Sequence, residues 1–425
     1  MRPPAALVVA ALLSAAAVAA QPVDDKRPAS EVADLVNALL GGLLGGGEVD
    51  GARLQEEVAQ AGGVEFRRDV PVAFLGKEDL AAYLREVFDE DYPSARARAD
   101  ERLLQAFDLL SPGTDLRALR ARVLEENVVG FYDERPGKRR LYAVSEEHTF
   151  SPMNQIVLAH ELRHALQDQY EELDSFLAED VSDYDDRSMA WICLLEGDAT
   201  LVMERFVRLR LGGLGGPLAG ADEDAGGALG PGLLDVPGAP PVVRDQLVQP
   251  YLAGLDFARA LWSRGGAGAL RDAWKEPPES TEQVLHPDKF FARERPRIVA
   301  PSLPAPPGSQ LVSEGVLGEL LIRTLVEEGA SEAAAGWGGD AWRLWDVGGR
   351  TVLAWRSEWD GAGDAAEFHA ALRTRFARRG TPAGHAGWEL FAGEGGRRFA
   401  IRRSGEAVEL ASADDEPLLR SLIGG

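Results

Sequence analysis

The segment SPMNQIVLAHELRHALQDQY, residues 151–170, decides the interpretation of the whole chain. Ser151 and Pro152 are residues that helices favour at the N-cap and the first helical position. Apolar side chains recur through the rest of the segment at the spacing of a helix. The sequence therefore predicts one partly buried helix that ends near Tyr170.

Three ionisable side chains stand inside this helix in the pattern H-E-x-x-H. His160 and His164 are four residues apart, so their imidazoles share one face, within about 40° and about 6 Å of rise. Two neutral imidazole nitrogens can thus meet one zinc ion, whereas Glu161 lies about 100° further round and can reach a water molecule on that ion. With six histidines in 425 residues, chance would produce such a pentad about 0.008 times. We therefore predict a Zn2+ site with His160 and His164 as ligands and Glu161 as general base.

A zinc site of this kind needs a third protein ligand. Gln167 and Tyr170 stand where the metzincin pattern would place a glycine and a third histidine, so the ligand must come from another segment. Glu196 is the best candidate, because it is a carboxylate in an otherwise apolar helical stretch and Gly197 permits a close approach. Cys193 is its nearest rival, although a buried free thiol is more often a core residue.

A metal-bound histidine usually donates its other ring N–H to a carboxylate or carbonyl group. Asp168 and Asp198 are candidates for this contact. Asp198 lies two residues from Glu196, which is nearly the opposite side of an ideal helix, whereas Thr200 shares the face of Glu196. All three residues remain candidates.

Four motifs together carry a family resemblance. They are GFYD (130–133), LAHELRHALQDQ (158–169), LLEGDATLVM (194–203) and STEQVLHP (280–287). With these motifs, residues 64–299 resemble the gluzincin branch of the zincin metallopeptidases, and are similar to a group of exported bacterial proteins predicted to be zinc peptidases.

The resemblance implies a zincin-like catalytic domain of the α+β class. It implies that His160, His164 and Glu196 bind the zinc ion and that Glu161 is the general base of a hydrolase, a metalloprotease acting on a peptide or protein substrate. One position departs from the family, because better-studied members carry a carboxylate four residues after the ligand glutamate and this chain has Thr200 there.

Peptide hydrolysis also needs a hydrogen-bond donor for the developing oxyanion. His286 and Tyr251 are polar donors downstream of the ligand segments and are predicted for this catalytic role. Each also has a structural interpretation, His286 as a turn residue before Pro287 and Tyr251 as a packing residue. The resemblance further implies that residues 128–132 form an edge strand beside which a peptide substrate lies.

Composition shifts divide the chain into segments. They are a signal peptide (1–20), a flexible lead-in (21–62), the catalytic domain (63–300) with a Gly/Pro-rich loop (211–240), a linker (301–310) and a C-terminal domain (311–425). We expect a helical N-terminal portion of the catalytic domain and a small α+β C-terminal domain. The latter contains six of the nine tryptophans, which we interpret as core residues.

The first 20 residues contain one arginine and a short, alanine-rich apolar run, which is typical of a cleaved signal peptide. An N-terminal membrane anchor is the alternative, but no later stretch is long enough to span a bilayer. We therefore expect a secreted or periplasmic protein without a membrane span after cleavage. The formal net charge of −24 disfavours nucleic-acid binding, and a single cysteine excludes an internal disulfide.

The patterns predict the following secondary structure outside the helix at 151–170. We expect helices over 31–40, 77–88, 95–110, 114–126, 188–209, 242–262, 312–328 and 364–376, a strand at 64–74, hairpins at 128–144 and 341–359, three short strands after residue 376, and an extended, turn-rich stretch at 277–287.

Two further interpretations of the chain remain. The main alternative to a peptidase is a non-catalytic interaction or scaffold protein of the cell envelope, in which the H-E-x-x-H helix holds a structural zinc ion. A domain without any metal is the third. Glu161 separates the first two, because a structural site does not require a base beside its ligands.

Overall fold

A computed structural model of the chain describes residues 47–48, 51–127, 130–144, 149–150, 152–173, 184–212, 239–326 and 330–424. Over these residues the fold is a mixture of helices and strands of the α+β class, as predicted. The signal peptide, the helix expected at 31–40 and most of the Gly/Pro-rich loop lie outside the described residues. No helix in the described ranges is both long enough and apolar enough to cross a membrane.

The part of the chain before residue 300 is mainly helical. Its helices are α1 (Gly51–Gly62), α2 (Lys77–Asp91), α3 (Ser94–Ala106), α4 (Leu116–Asn127), α5 (Pro152–Glu171), α6 (Asp186–Gly212), α7 (Pro241–Lys275), α8 (Thr281–Leu285) and α9 (Pro287–Ala292). The helices predicted at 77–88, 95–110, 114–126, 151–170, 188–209 and 242–262 are thereby confirmed, with α6 and α7 longer than expected.

The end of the predicted lead-in is structured. Helix α1 begins at Gly51, and its residues Leu54, Val58 and Ala61 are buried in one apolar cluster with residues of α5 and α6. The prediction of a flexible segment is therefore wrong for residues 51–62, because the apolar residues of this stretch cover the outside of the two long helices.

A small sheet covers the first half of α5. Its strands are β2 (Val72–Leu75), β3 (Gly130–Asp133) and β4 (Arg140–Val144), in the order β2-β4-β3. Strands β3 and β4 are antiparallel, which confirms the predicted hairpin, while β2 pairs in parallel with β4. The strand predicted at 64–74 is mostly wrong, because the regular structure begins only at Val72.

Two short strands form a separate two-stranded sheet. Strand β1 (Gly47–Glu48) pairs antiparallel with β5 (Thr149–Phe150), just before α5 begins. The three-stranded sheet packs on α5 through one apolar cluster. The cluster includes Tyr132 and Leu141 from the strands and Ile156, Leu158 and Leu162 from the helix. This packing places the end of β3 next to the middle of α5.

Helix α7 is interrupted in its C-terminal half. Gly265 and Gly266 have non-helical backbone angles, and φ is +58° at Gly266, a conformation that glycine adopts without the steric cost of a side chain. The prediction ended this helix at residue 262, close to the break. The stretch 277–287 is not simply extended as predicted, because the Ser280 side chain accepts a hydrogen bond from the Gln283 amide and caps the short helix α8.

The C-terminal part forms a seven-stranded sheet. Its strands are β6 (Gln310–Gly315), β7 (Trp337–Val347), β8 (Arg350–Trp359), β9 (Ala383–His385), β10 (Trp388–Ala392), β11 (Arg398–Ser404) and β12 (Ala407–Ala413). The order is β6-β7-β8-β12-β11-β10-β9, and all neighbours are antiparallel. Helices α10 (Gly318–Ile322), α11 (Ala362–Ala377) and α12 (Glu416–Ile423) complete this part.

Tryptophans of this sheet face its two apolar cores. Trp337 pairs with Trp359 across β7 and β8, and Trp342 pairs with Trp355. All six tryptophans of the C-terminal part are at most 3% exposed. The prediction that they are core residues of the domain is confirmed, as are the hairpin at 341–359 and the helix at 364–376.

The helix predicted at 312–328 is wrong. Residues 310–315 form the edge strand β6, which pairs with β7, and only Gly318–Ile322 are α-helical before a 3₁₀ turn at Arg323–Leu325. Gly318 begins α10 with φ of +74°, so the chain turns sharply between strand and helix. The predicted linker at 301–310 has no regular structure before Gln310.

The two parts of the chain meet through buried polar contacts. The Oδ1 atom of Asp186 accepts hydrogen bonds from the backbone N–H and the hydroxyl of Thr281, at 2.9 and 2.5 Å. The amide of Asp186 donates to the carbonyl of Val316 at 3.0 Å. The start of α6 is therefore tied both to α8 and to the C-terminal part.

Candidate metal centre

Helices α5 and α6 bring three predicted ligands together. His160 and His164 lie on one face of α5, and the distance between their Nε2 atoms is 3.0 Å. Glu196 of α6 faces both rings, with its Oε2 atom 3.1 Å from His160 Nε2 and 3.4 Å from His164 Nε2. The exposed fractions of the three residues are 3%, 1% and 0%. They form a buried group that could hold a metal ion.

The distances within this group are compatible with a bound metal ion. A tetrahedral zinc ion with nitrogen and oxygen ligands at about 2.0–2.1 Å separates its donor atoms by about 3.3–3.4 Å, close to the distances between these three atoms. The second oxygen of Glu196, Oε1, is buried without a hydrogen-bond partner. A buried carboxylate oxygen in this state is costly unless a cation or a donor satisfies it. The residues present therefore fit the Zn2+ ion that the sequence predicts.

Close helix packing places Glu196 at this point. A Cβ atom on Gly197 would lie 2.0 Å from the carbonyl carbon and oxygen of Gly254 in α7, and one on Gly254 would lie 2.1 Å from the carbonyl oxygen of Cys193. The backbones of α6 and α7 are therefore in direct contact beside the ligand. The close approach expected at Gly197 is confirmed, and its partner is α7.

The charges of the three residues are strongly coupled. Burial opposes ionisation of Glu196, but the charge of His164 and hydrogen bonds from both rings lower the pKa of Glu196 to about 2. Burial lowers the pKa of His164, yet the adjacent Glu196 carboxylate outweighs it and raises that pKa to about 9. Burial dominates at His160 and lowers its pKa. Near neutral pH these shifts favour an ionised Glu196, a charged His164 and a neutral His160.

Glu161 lies beside the group without belonging to it. Its side chain is fully buried, and its Oε2 accepts a hydrogen bond of 3.0 Å from the backbone N–H of Tyr132 in β3. The outer edge of β3 therefore faces the predicted base. Within the predicted substrate strand at 128–132, this amide is occupied by Glu161, and residues 128 and 129 lie outside the described residues.

A chain of polar side chains supports His164. Its Nδ1 lies 2.9 Å from Gln167 Oε1, and Gln167 Nε2 donates to Asp198 Oδ2 at 2.8 Å. Asp198 in turn receives two hydrogen bonds from Arg163, at 2.9 and 3.0 Å. The predicted contact of Asp198 with a ligand histidine is therefore indirect, because Gln167 lies between Asp198 and His164. Sequence reasoning missed Gln167 and Arg163, although both are polar residues in a helix whose neighbours are apolar.

The other two candidates for outer contacts form no hydrogen bond with the histidines. Asp168 accepts hydrogen bonds from the Tyr132 hydroxyl at 2.8 Å and from the Leu173 amide at 3.1 Å. It therefore joins β3 to the end of α5. The hydroxyl of Thr200 is buried without a hydrogen-bond partner. Cys193, the rival ligand, is buried in an apolar cluster and does not belong to the ligand group.

The two predicted oxyanion donors are placed differently. Tyr251 of α7 is near the site, because its ring centroid is 6.1 Å from that of His160. The contact of the His286 ring is with Glu319, whose two carboxylate oxygens lie 3.0 and 3.1 Å from its Nε2. This hydrogen bond raises the pKa of His286. The geometry therefore favours Tyr251 and gives His286 a role in joining the segment after α8 to α10.

A second acidic group has a different character. Oxygens of Glu282, Glu294 and Asp360 are close enough together to hold a metal ion. The ammonium group of Lys289 lies among them, 2.7 Å from Glu282 and 2.8 Å from each of the other two. This cation already compensates their charge, so the group is an ion-pair cluster.

Comparisons with known proteins concern only the C-terminal part. The family model described as "Domain of unknown function (DUF8575)" matches residues 308–422. This span contains the large sheet and excludes the helices that carry the three ligand candidates. No curated protein and no solved structure matches the chain.

Proposed function

We propose that this chain is an exported zinc-dependent peptidase, in which Glu161 is the general base. One observation carries the proposal: the Nε2 atoms of His160 and His164 and a carboxylate oxygen of Glu196 converge in a buried place, where the other oxygen of Glu196 has no hydrogen-bond partner. The resemblance of residues 158–169 and 194–203 to gluzincins supports the same assignment and a zincin-like fold for the part that carries them.

The residues have separate tasks in this proposal. His160, His164 and Glu196 hold the ion, which when bound polarises a peptide carbonyl and makes water a nucleophile near neutral pH. Glu161 accepts the proton of the attacking water and returns it to the departing amine. The Tyr132 amide holds the Glu161 carboxylate in place, and Tyr251 is the proposed donor to the oxyanion.

The alternative of a structural zinc site is favoured by one observation. Each of the four residues His160, Glu161, His164 and Glu196 is at most 3% exposed, whereas a catalytic zinc site keeps one coordination position for water or substrate. In that case the protein is a cell-envelope scaffold and Glu161 has no chemical task. The two proposals therefore differ in what happens when Glu161 alone is changed.

The test measures zinc and hydrolysis on the same samples. Purified protein is analysed for zinc content and incubated with a peptide library, with and without a chelator. We expect one zinc per chain and chelator-sensitive cleavage. Glu161→Gln should keep the zinc and lose at least about 100-fold in cleavage rate. Glu171→Gln, the same change at the end of α5, is the control and should cleave normally.

The outcomes separate the proposals. Zinc binding without cleavage by the wild type supports the structural site. Cleavage by Glu161→Gln at the wild-type rate contradicts the role of Glu161 as base. A wild-type protein without zinc, after exposure to the ion, contradicts both proposals.

A further inference from the structure

Among the described residues, Gln167 has the only side chain that forms a hydrogen bond with the second ring nitrogen of His164, Nδ1. It is fully buried, and its amide makes three contacts. Oε1 lies 2.9 Å from His164 Nδ1, while Nε2 lies 2.8 Å from Asp198 Oδ2 and 3.1 Å from the backbone carbonyl of Leu195.

The partners of Gln167 leave one orientation for its amide. The carbonyl oxygen of Leu195 can only accept a hydrogen bond, and both oxygens of Asp198 already accept hydrogen bonds from Arg163. Both contacts therefore require the NH2 group of Gln167. Its Oε1 is left facing His164 Nδ1, and an oxygen at this place requires a proton on that nitrogen.

A proton on Nδ1 of His164 determines the state of Nε2, the nitrogen on the opposite side of the ring. When a neutral His164 carries its proton on Nδ1, the lone pair is on Nε2, which is the atom that faces His160 and Glu196 at 3.0 and 3.4 Å. The amide of Gln167 thus selects the tautomer and the ring orientation that a metal ligand needs.

Asp198, which accepts the hydrogen bond from Gln167, is itself held by an ion pair with Arg163. Arg163 and Asp198 are both fully buried, and the Arg163 guanidinium also lies 4.8 Å from the centre of the Trp274 ring. Arg163 belongs to α5, as His164 does, whereas Asp198 belongs to α6, as Glu196 does. The ion pair therefore fixes the spacing of the two helices at the level of the ligands.

We propose that Gln167 is a positioning residue, which is fixed by Asp198 and Arg163 and which sets the tautomer and orientation of His164 for metal binding. The inference rests on the proposed zinc site. It also accounts for the departure at Thr200, because a carboxylate two residues after Glu196, together with a glutamine on α5, supplies the contact behind the histidine.

The test compares zinc affinity and stability in full-length variants. Gln167→Ala removes the contact, and Gln167→Met removes it while filling most of the volume, which guards against loss of folding. Zinc affinity is measured by competition with a chromophoric chelator, and we expect a loss of about 10–100-fold in both variants. The visible absorption bands of the cobalt-substituted protein should also shift, because the ligand ring is no longer held in one orientation.

Gln169→Ala is the matched control. Gln169 is also a buried glutamine of α5, and its amide binds the backbone of Arg67 and Arg68 instead of a histidine. This variant should lose stability and keep both the zinc affinity and the cobalt spectrum. Wild-type zinc affinity in Gln167→Met would overturn the inference and leave the zinc site intact, whereas absence of zinc from the wild type would overturn the proposed function itself.

Discussion

Gly197 of α6 and Gly254 of α7 are in backbone contact, and neither position has room for a side chain. A Cβ atom on Gly197 would lie 2.0 Å from the Gly254 carbonyl, far inside van der Waals distance. Glu196, the proposed ligand from α6, is the neighbouring residue. The crossing of the two helices therefore sets the position of the ligand as well as the packing of the core.

Gly197→Ala should weaken both the fold and the metal site. The added methyl group has to push α7 away from α6, and such overpacking costs about 1–3 kcal/mol of unfolding free energy. Urea unfolding and zinc affinity check the two effects. Gly268→Ala is the control, because nothing lies within 4 Å of a Cβ at that helical position, and it should be neutral or stabilising. Unchanged zinc affinity in Gly197→Ala would show that the crossing does not position Glu196.

The local part of the site could be predicted from the sequence because it depends only on helix geometry. His160, Glu161 and His164 are fixed relative to one another by the rise and turn of one helix. Glu196 required a second step, since its approach depends on how α6 packs. The signals for that step were a carboxylate in an apolar stretch and the adjacent Gly197.

Contacts between distant segments could not be predicted in the same way. The partner of His286 is Glu319, which is 33 residues further along the chain, and no periodicity links the two. Residues 310–315 form a strand only because β7 offers an edge to pair with, so their helical pattern was misleading. The order of Arg163, Asp198 and Gln167 behind His164 likewise depends on two helices meeting.

Loss of Arg163 should destabilise the protein strongly. Its guanidinium forms a fully buried pair with Asp198, and removing one partner of such a pair leaves an uncompensated charge, at a cost of about 3–5 kcal/mol. Arg163→Met should show this loss in urea unfolding, and the double variant Arg163→Met/Asp198→Leu should recover part of it. Arg293→Met is the control, since Arg293 and Glu276 form an exposed pair worth at most about 1 kcal/mol. Equal losses in both single variants would contradict this account.

Asp186 should make the stability of the protein depend on pH. Burial raises its pKa from 3.8 to about 8, so the folded protein binds a proton that the unfolded chain releases at lower pH. The stabilising contribution is complete below about pH 4 and is lost as the pH rises through about 8. Asp186→Asn removes this dependence, so the variant should become more stable relative to the wild type between pH 5 and pH 9.

Guanidine unfolding at pH 5, 7 and 9 measures this difference. Asp272→Asn, the same change at a side chain that is 83% exposed, is the control. A constant difference between Asp186→Asn and the wild type at all three values would show that Asp186 does not carry a raised pKa.

Removal of zinc should lower the thermal stability of the chain. An ion that binds only the folded state stabilises it by about 4 kcal/mol when its concentration is 1,000 times the dissociation constant. Dialysis against a chelator should therefore lower Tm by several degrees, and zinc should restore it.

Glu161→Gln should respond as the wild type does, because Glu161 is not a ligand in the proposal. Substitution of both His160 and His164 by alanine should abolish the response to zinc. A zinc response that survives the double substitution would mean that the ion binds elsewhere, and the convergence of His160, His164 and Glu196 would then have no metal to explain it.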